Sequence, residues 1–250
     1  MSEIEIRACA AVEEFQRMVE LQKTIWGFAD IDLVPLRMFV VASKIGGQVF
    51  GAFDGAEMVG FVMAVPGYRH GKSYLHSHMA AVLPAYQNRG VGRSLKLRQR
   101  ADALERGIGL VEWTFDPLEL KNARFNIERL GAIARRYVRN QYGRTSSPLH
   151  GGLATDRLVA EWWLRTPRVE NAVGGGQLPH ASPPRRAERI RIPANIGELK
   201  KSDAKAAAQA QSEASAQFEK WFGQGYAVTG FELDSEFGTY LLERFEDKAQ

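Results

Sequence analysis

Hydrophobic periodicity divides the chain into alternating strand-like and helix-like stretches. A short alternating strand at 4–7 precedes Val12, Phe15, Val19 and Trp26, which mark one face of a first helix ending at Gly27. Pro35 opens a second helical segment over 35–43, closed by Gly46-Gly47. Three strand signals follow, at 48–53, 58–65 and 74–82, separated by Asp54-Gly55 and by Pro66-Gly67 with the polar run behind it. Asp54-Gly55 has the composition of a hairpin turn. The middle strand is almost wholly apolar, as expected where both faces of a sheet are covered. After a short loop, Ser94, Leu97, Ala101, Leu104 and Ile108 recur at helical spacing, with Gly107 placed as a C-terminal cap, and 110–115 reads as a strand.

Further on, Leu120, Ala123, Ile127, Leu130 and Ala134 predict one more helix packed on the sheet. Strands are predicted at 137–142 and 158–164, the latter with Leu158, Ala160, Trp162 and Leu164 on one face and Arg157, Glu161 and Arg165 on the other. From Pro167 to Ala187 the text is glycine- and proline-rich, with Gly174-Gly175-Gly176, Pro179, Pro183-Pro184 and Arg185-Arg186, and reads as a loop or linker. A short strand at 190–192, an alanine-rich helix over about 198–222 and two strands at 226–233 and 239–245 complete the pattern. That helix carries Ala207, Ala210, Ala214, Phe218 and Trp221 on one face. The expected organisation is a domain over 1–166, a linker over 167–189 and an extension over 190–250. This extension could cover a substrate cleft, extend the sheet or make a homodimer, since a glycine-rich linker permits any of these.

Composition changes little in this picture. Of the 250 residues 45% are hydrophobic and 25% charged, which is ordinary for a globular chain, and the net charge of +4 suits a phosphate-bearing ligand as readily as nucleic acid. The single cysteine, Cys9, has no internal partner, so a reducing, cytoplasmic setting is expected; no apolar signal core and no membrane-length run is seen.

The stretch from Val82 to Arg93 carries the chemistry. An apolar strand end passes through Gln87-Asn88-Arg89-Gly90-Val91-Gly92-Arg93 into a helix. Backbone N–H groups at such a helix start point outward with the positive end of the macrodipole behind them, so an anion is favoured there. Gly90 and Gly92 leave the approach open, and Arg89 and Arg93 add positive charge.

Val82-x-Pro84-x-Tyr86-Gln87-x-x-Gly90-Val91-Gly92 resembles the acyl-CoA pyrophosphate loop of the GNAT superfamily of N-acyltransferases. The order of elements around it matches that superfamily's fold over roughly residues 3–165: a twisted, mixed α/β (α+β) structure with a largely antiparallel sheet flanked by helices. Here a C-terminal helix and hairpin are appended. Asn122-Ala123 and Glu128-Arg129-Leu130-Gly131-Ala132 resemble the later helix along the pantetheine arm. The resemblance implies a cradle for the CoA pyrophosphate at Gln87, Asn88, Arg89, Gly90, Val91, Gly92 and Arg93. It also implies free backbone groups at the strand end, Val82, for the pantetheine amides, and acetyl-CoA or another short acyl-CoA as co-substrate; Asn122 and Asn126, four apart on a polar helix face, could bond the pantetheine amides or the substrate, with ordinary solvated residues as the alternative. The activity implied is transfer of a short acyl group to the primary amine of a small molecule, an amino acid among the candidates, by direct attack in a ternary complex.

An attacking amine must lose a proton, and His76 and His78 on the strand before the loop are candidate bases. With period two, positions 76, 78, 80 and 82 are expected to share a face; packed core histidines are the alternative reading. His-x-His on a strand can also bind zinc, but no compact third ligand stands beside it, so no metal is expected. Asp116, before Pro117, could hold the amine, orient a histidine or cap a helix. By the Glu-Arg-Leu-Gly alignment, the tyrosine that serves many of these enzymes as general acid is replaced by Ile127. Two readings of another class stay open: an acyl-CoA-binding regulatory module without catalysis, and a nucleic-acid binder using Lys96, Arg98, Arg100, Arg106, Arg135, Arg136 and Arg139. For the second, no nucleic-acid module is recognisable. A dinucleotide-binding fold is set aside, because its glycine loop belongs in the first strand–helix turn.

Overall fold

A computed structural model describes residues 3–143, 151–176 and 188–245. The chain forms two compact units, one of residues up to Trp113 and the other of the described residues from Thr114 onward. The part of the expected linker that falls on 177–187, with Pro179, Pro183-Pro184 and Arg185-Arg186, lies outside the described residues.

In the first unit, strands β1 (Glu5–Ala8), β2 (Gln48–Asp54), β3 (Glu57–Arg69) and β4 (Lys72–Val82) form an antiparallel meander, and β5 (Leu110–Phe115) begins beside β4 in parallel. Helices α1 (Val12–Trp26) and α2 (Leu36–Lys44) cover one face, where Phe15, Met18, Leu21, Phe39, Phe61 and Met63 form a dry core. Helix α3 (Val91–Glu105) covers the other, burying Val91 and Leu95 against Phe50, Ala52, Val59 and Val62. Such a two-sided sheet explains why β3 is apolar along most of its length. The hairpin turn between Asp54 and Glu57 forms as its composition predicts, with Gly55 at φ 59°.

Two expectations in this unit are corrected. Pro66-Gly67 does not end β3: pairing continues to Arg69↔Lys72, and the turn falls at His70 (φ 51°) and Gly71 (φ 75°). The Tyr74 ring lies across Gly67 so closely that a Cβ there would stand 2.4 Å from it, so the glycine is covered by an aromatic neighbour rather than breaking the strand. The buried stripe of α3 is also not the predicted one. Ser94 and Ala101 are exposed, while Val91, Leu95, Lys96, Gln99 and Ala103 are buried. Two polar residues replace apolar ones on the inner face, and each finds a polar partner there.

In the second unit, β6 (Ile133–Val138), β7 (Arg157–Trp163), β8 (Glu188–Pro193), β9 (Tyr226–Leu233) and β10 (Phe237–Arg244) form an antiparallel sheet in the order β7-β6-β9-β10-β8. The helix predicted from Leu120 to Ala134 is much shorter. Helix α4 (Leu120–Arg124) runs into a π-turn at Phe125–Arg129, Gly131 (φ 74°) ends it, and Ala134 belongs to β6. β6 correspondingly replaces the strand predicted at 137–142. Arg157 and Glu161 on β7 are buried rather than solvent-facing; Glu161 is held by Arg135 and Arg136. Pro167–Val173, predicted as linker, is helix α5, with Pro167 at its first position. The alanine-rich helix is two, α6 (Ile196–Ser202) and α7 (Ala204–Gly223), interrupted at Asp203, whose side chain caps α7 through Ala206 N–H.

Helix α7 is held by rings. Phe218, fully buried, stacks on Tyr137 at 5.4 Å between centroids and meets Tyr240 edge-on at 5.1 Å. Replacing Phe218 by Ala is expected to cost about 3–5 kcal/mol, measurable as an earlier chemical unfolding midpoint of the second unit.

Candidate active site

The site is built where β4 leaves β5. Their parallel ladder holds two residue pairs, Leu75↔Val111 and His76↔Glu112, and goes no further. Beyond His76 the edge of β4 that faces β5 is released from the ladder, up to Val82. A bulge lies at the same place: β4 pairs Met79 with Met63 and Ser77 with Ala64, leaving His78 as the extra residue. The bulge resets the alternation. His76 lies opposite Val65 and shares its face with Met79 and Ala81, which pack toward α1 and α2, whereas Ser77, Ala80 and Val82 face α3. The expectation that 76, 78, 80 and 82 share a face is therefore overturned by one inserted residue. The two histidine rings still lie together, with centroids 6.0 Å apart. His78 is accessible to solvent but closely walled by protein, and that desolvation holds its pKa below the ordinary 6.5.

Past Val82 the chain makes a single helical turn at Pro84–Tyr86 and enters α3 through Asn88 (φ 60°) and Gly90 (φ 85°). Both residues tolerate the left-handed region, and at Gly90 that backbone is the reason for glycine. The loop is braced on its outer side: Tyr86 Oη donates to Asp54 Oδ2 at 2.9 Å, Gln87 Nε2 donates to the Val82 carbonyl at 3.0 Å, and Arg89 lies over the Tyr86 ring. The first bond of α3 runs from Ser94 N–H to the Gly90 carbonyl, 2.9 Å. The N–H groups of Val91 and Gly92 thus precede any acceptor within the helix and point from its positive end. A Cβ on Gly90 would meet nothing within 4 Å, and one on Gly92 only Val82 Cγ2 at 3.8 Å, so the space before the helix is open.

Beside the parted strands stand one group that sequence did not single out, Glu112, and one it read only as part of a basic cluster, Lys96. Glu112, buried opposite His76, takes both nitrogens of Arg69, Nη2 on Oε1 and Nη1 on Oε2 at 3.3 Å. Lys96 reaches from α3 to Ser77 Oγ at 2.7 Å and lies 4.0 Å from the centre of the Trp113 ring. The signal that could have found Lys96 is its place next to Leu95, on the α3 face opposite the exposed Ser94.

In the second unit Asp116 accepts Leu118 N–H at 2.8 Å and the Lys200 ammonium at 3.2 Å, and Lys200 also holds Glu119 at 2.9 Å. Burial opposes the charge of Lys200, but the two carboxylates outweigh it and raise its pKa. Asn122 is exposed, Asn126 is buried, and Ile127 is fully buried in the π-turn. Among the described residues no three His, Cys, Asp or Glu side chains converge as a metal site would require, and no helix is long and apolar enough to cross a membrane.

Comparison with known proteins matches residues 14–132 to the acetyltransferase (GNAT) family. Over those residues, a little under half of the chain, the sequence is similar to that family. Solved structures of the same fold include the ribosomal-protein-S18-alanine N-acetyltransferase of Escherichia coli (TM-score 0.52, 15% identity, covering 66% of this chain and 96% of that one). Arabidopsis thaliana NAA60 in complex with acetyl-CoA gives a TM-score of 0.51 at 14% identity, over 64% of this chain and 99% of that one. FeeM, an N-acyl amino acid synthase from uncultured soil microbes, gives 0.50 at 14% identity, over 66% and 92%. At these identities the fold is what is shared. No curated protein matches the sequence. The GNAT fold, with its mostly antiparallel open sheet, is that expected from the sequence.

Removing Arg69 would take two hydrogen bonds from the buried Glu112 carboxylate. The variant Arg69→Met should lose about 3 kcal/mol, the lower end for a broken buried pair because Arg69 is 35% exposed. Adding Glu112→Gln should restore most of that loss, as read from unfolding curves of the single and double variants.

Proposed function

We propose that this GNAT-fold protein transfers a short acyl group, acetyl or succinyl, from acyl-CoA to the primary amine of a small molecule, with an amino acid among the candidate acceptors. The observation that carries this reading is the continuity of the α3 cradle with the released edge of β4. An anionic diphosphate at the start of α3 is stabilised by N–H groups and dipole. An arm bearing two amides can then run back along β4 and bond backbone groups that no neighbouring strand takes, leaving the thioester near the His78 bulge. A backbone N–H at that bulge is suited to the oxyanion that develops on the thioester carbonyl.

On this reading the acceptor amine approaches from the α1 and α2 side, where His76 lies beside Glu112. His78, neutral at pH 7 because desolvation lowers its pKa, is ready to take the ammonium proton directly or through water. The amine nitrogen then attacks the carbonyl carbon in a ternary complex, with no acyl-enzyme. Asp116, tied to Lys200, is assigned to holding the α4 entry rather than to proton transfer.

Calorimetry with acetyl-CoA and succinyl-CoA tests the donor: binding at micromolar concentration is expected, and Gly92→Glu, which puts a carboxylate before the helix, should abolish it. An acyl-CoA that fails to bind even near millimolar concentration would remove the reading. His78→Ala is expected to slow thiol release in the presence of an amine by about 10²-fold. In the parent protein kcat/KM should fall on acidification with an apparent pKa below 6.5, because a histidine whose pKa is lowered gains its proton only at lower pH.

A further inference from the structure

Lys96 has no task in the scheme above. Its residue is 4% exposed, and its ammonium has one hydroxyl, Ser77 Oγ at 2.7 Å, and one aromatic face, Trp113 at 4.0 Å. Ser77 gives its own proton to Gln99 Oε1 at 3.0 Å, so a hydroxyl lone pair faces the lysine. Among the described residues no carboxylate pairs with it. His76 and His78 flank Ser77 along β4; Glu112, beside Trp113 on β5, is engaged by Arg69; Asp102, further along α3, is engaged by Gln48 Nε2 and Arg106. Burial alone brings the Lys96 pKa from 10.5 to about 7. A buried cation held by a hydroxyl and a ring costs more than an apolar side chain of similar length would. Stability gives no reason for a lysine here.

Its position does. Ser77 and Trp113 stand on β4 and β5 just where these strands part, and Lys96 reaches both from the helix whose first turn is the anion cradle. From the diphosphate to the sulfur a pantetheine arm is about twelve bonds, the length of about four extended residues, roughly 14 Å. Counting back from Val82 along the released edge, that length ends about at the His78 bulge and Ser77. We propose, resting on the acyl-CoA reading, that the Lys96 ammonium lies against the sulfur of bound acyl-CoA and gives its proton to the thiolate as the acyl group leaves.

The step balances. The amine, its ammonium proton already passed through His78 to solvent, forms the C–N bond to the carbonyl carbon and loses a second proton to the freed base. The tetrahedral adduct collapses, the C–S bond breaks with its electron pair going to sulfur, and the sulfur takes the Nζ proton. Lys96 is left neutral and regains a proton from solvent after CoA departs. A donor near neutrality is more acidic than an alkyl thiol, so the transfer runs downhill. Lys96 would thus do what Ile127, at the position of the family's tyrosine, cannot.

The test follows the ultraviolet absorbance of the thiolate of CoA bound to the full chain as pH rises. Below about pH 7, where Lys96 still carries its proton, the bound thiol is expected to be ionised to a larger fraction than free CoA at the same pH, because a neighbouring cation favours the thiolate. Lys96→Met should return that fraction to the free value while changing CoA affinity less than about twofold, and should lower kcat about 10²-fold without raising the KM of the donor. Lys96→Arg should keep the thiolate fraction raised yet fail to restore turnover, since a guanidinium does not release its proton. A bound thiol that titrates like free CoA in the parent chain overturns the proposal without needing any variant; so does a raised thiolate fraction that survives Lys96→Met. CoA that does not bind at all would remove the acyl-CoA reading and this proposal together, a result distinct from binding with an unshifted thiol.

Discussion

The separation of β4 from β5 is the constraint on which the first unit depends. A sheet that stops pairing after two residues leaves backbone donors and acceptors along an edge, and such groups are costly unless water or a ligand takes them. The bulge at His78 increases the twist of β4 at that point and helps hold the strands apart. Everything around the gap is braced in compensation. Arg69 fixes Glu112 on one side of the parted pair; Lys96 and Ser77 fill the other; Tyr86 and Gln87 pin the loop that follows Val82. An open edge is thereby made permanent, as a binding site requires, instead of being closed by a shift of the strands.

The parts of the site that were legible in the sequence are those whose residue types are dictated by local backbone geometry. Asn88 and Gly90 occupy left-handed conformations that few other residues adopt cheaply, so the loop announces itself. Asp54-Gly55 does the same for its hairpin. The bulge was invisible, because His78 satisfies the two-residue period as a letter even though it breaks it in space. Gly67 misled in the opposite sense: a residue that usually ends a strand is kept in one by a ring from the next strand. In the second unit the helical period of Leu120 to Ala134 ran on through a π-turn and into a strand, because Gly131 changes the backbone without interrupting the apolar spacing.

The misplaced stripe on α3 has another origin. Hydrophobic pattern locates the buried face of a helix only when that face is apolar, and here Lys96 and Gln99 occupy it. Gln99 accepts from Ser77, and its backbone carbonyl accepts from Gln48, whose Nε2 also reaches Asp102 at 2.7 Å. Gln48 Oε1 and Gln99 Nε2, both buried, have no hydrogen-bond partner among the described residues. A polar seam of this kind stabilises less than an apolar one of the same volume. Departures from the simplest pattern concentrate where function constrains the sequence, and this one lies directly beneath the parted strands.

Two buried lysines show how neighbours, more than burial, decide what such a group can do. Lys200 is 8% exposed and Lys96 4%, so both are desolvated, and desolvation alone pushes each toward the neutral form. Lys200 faces Asp116 and Glu119, and its pKa rises; it is a permanent cation and can serve only as a tie. Lys96 faces a hydroxyl and an indole, and its pKa falls to about 7. At that value the proton is held loosely enough to be given up and regained within one cycle, which a tie cannot do. The same residue type is therefore structural in one unit and poised for proton transfer in the other, and the difference lies in two carboxylates.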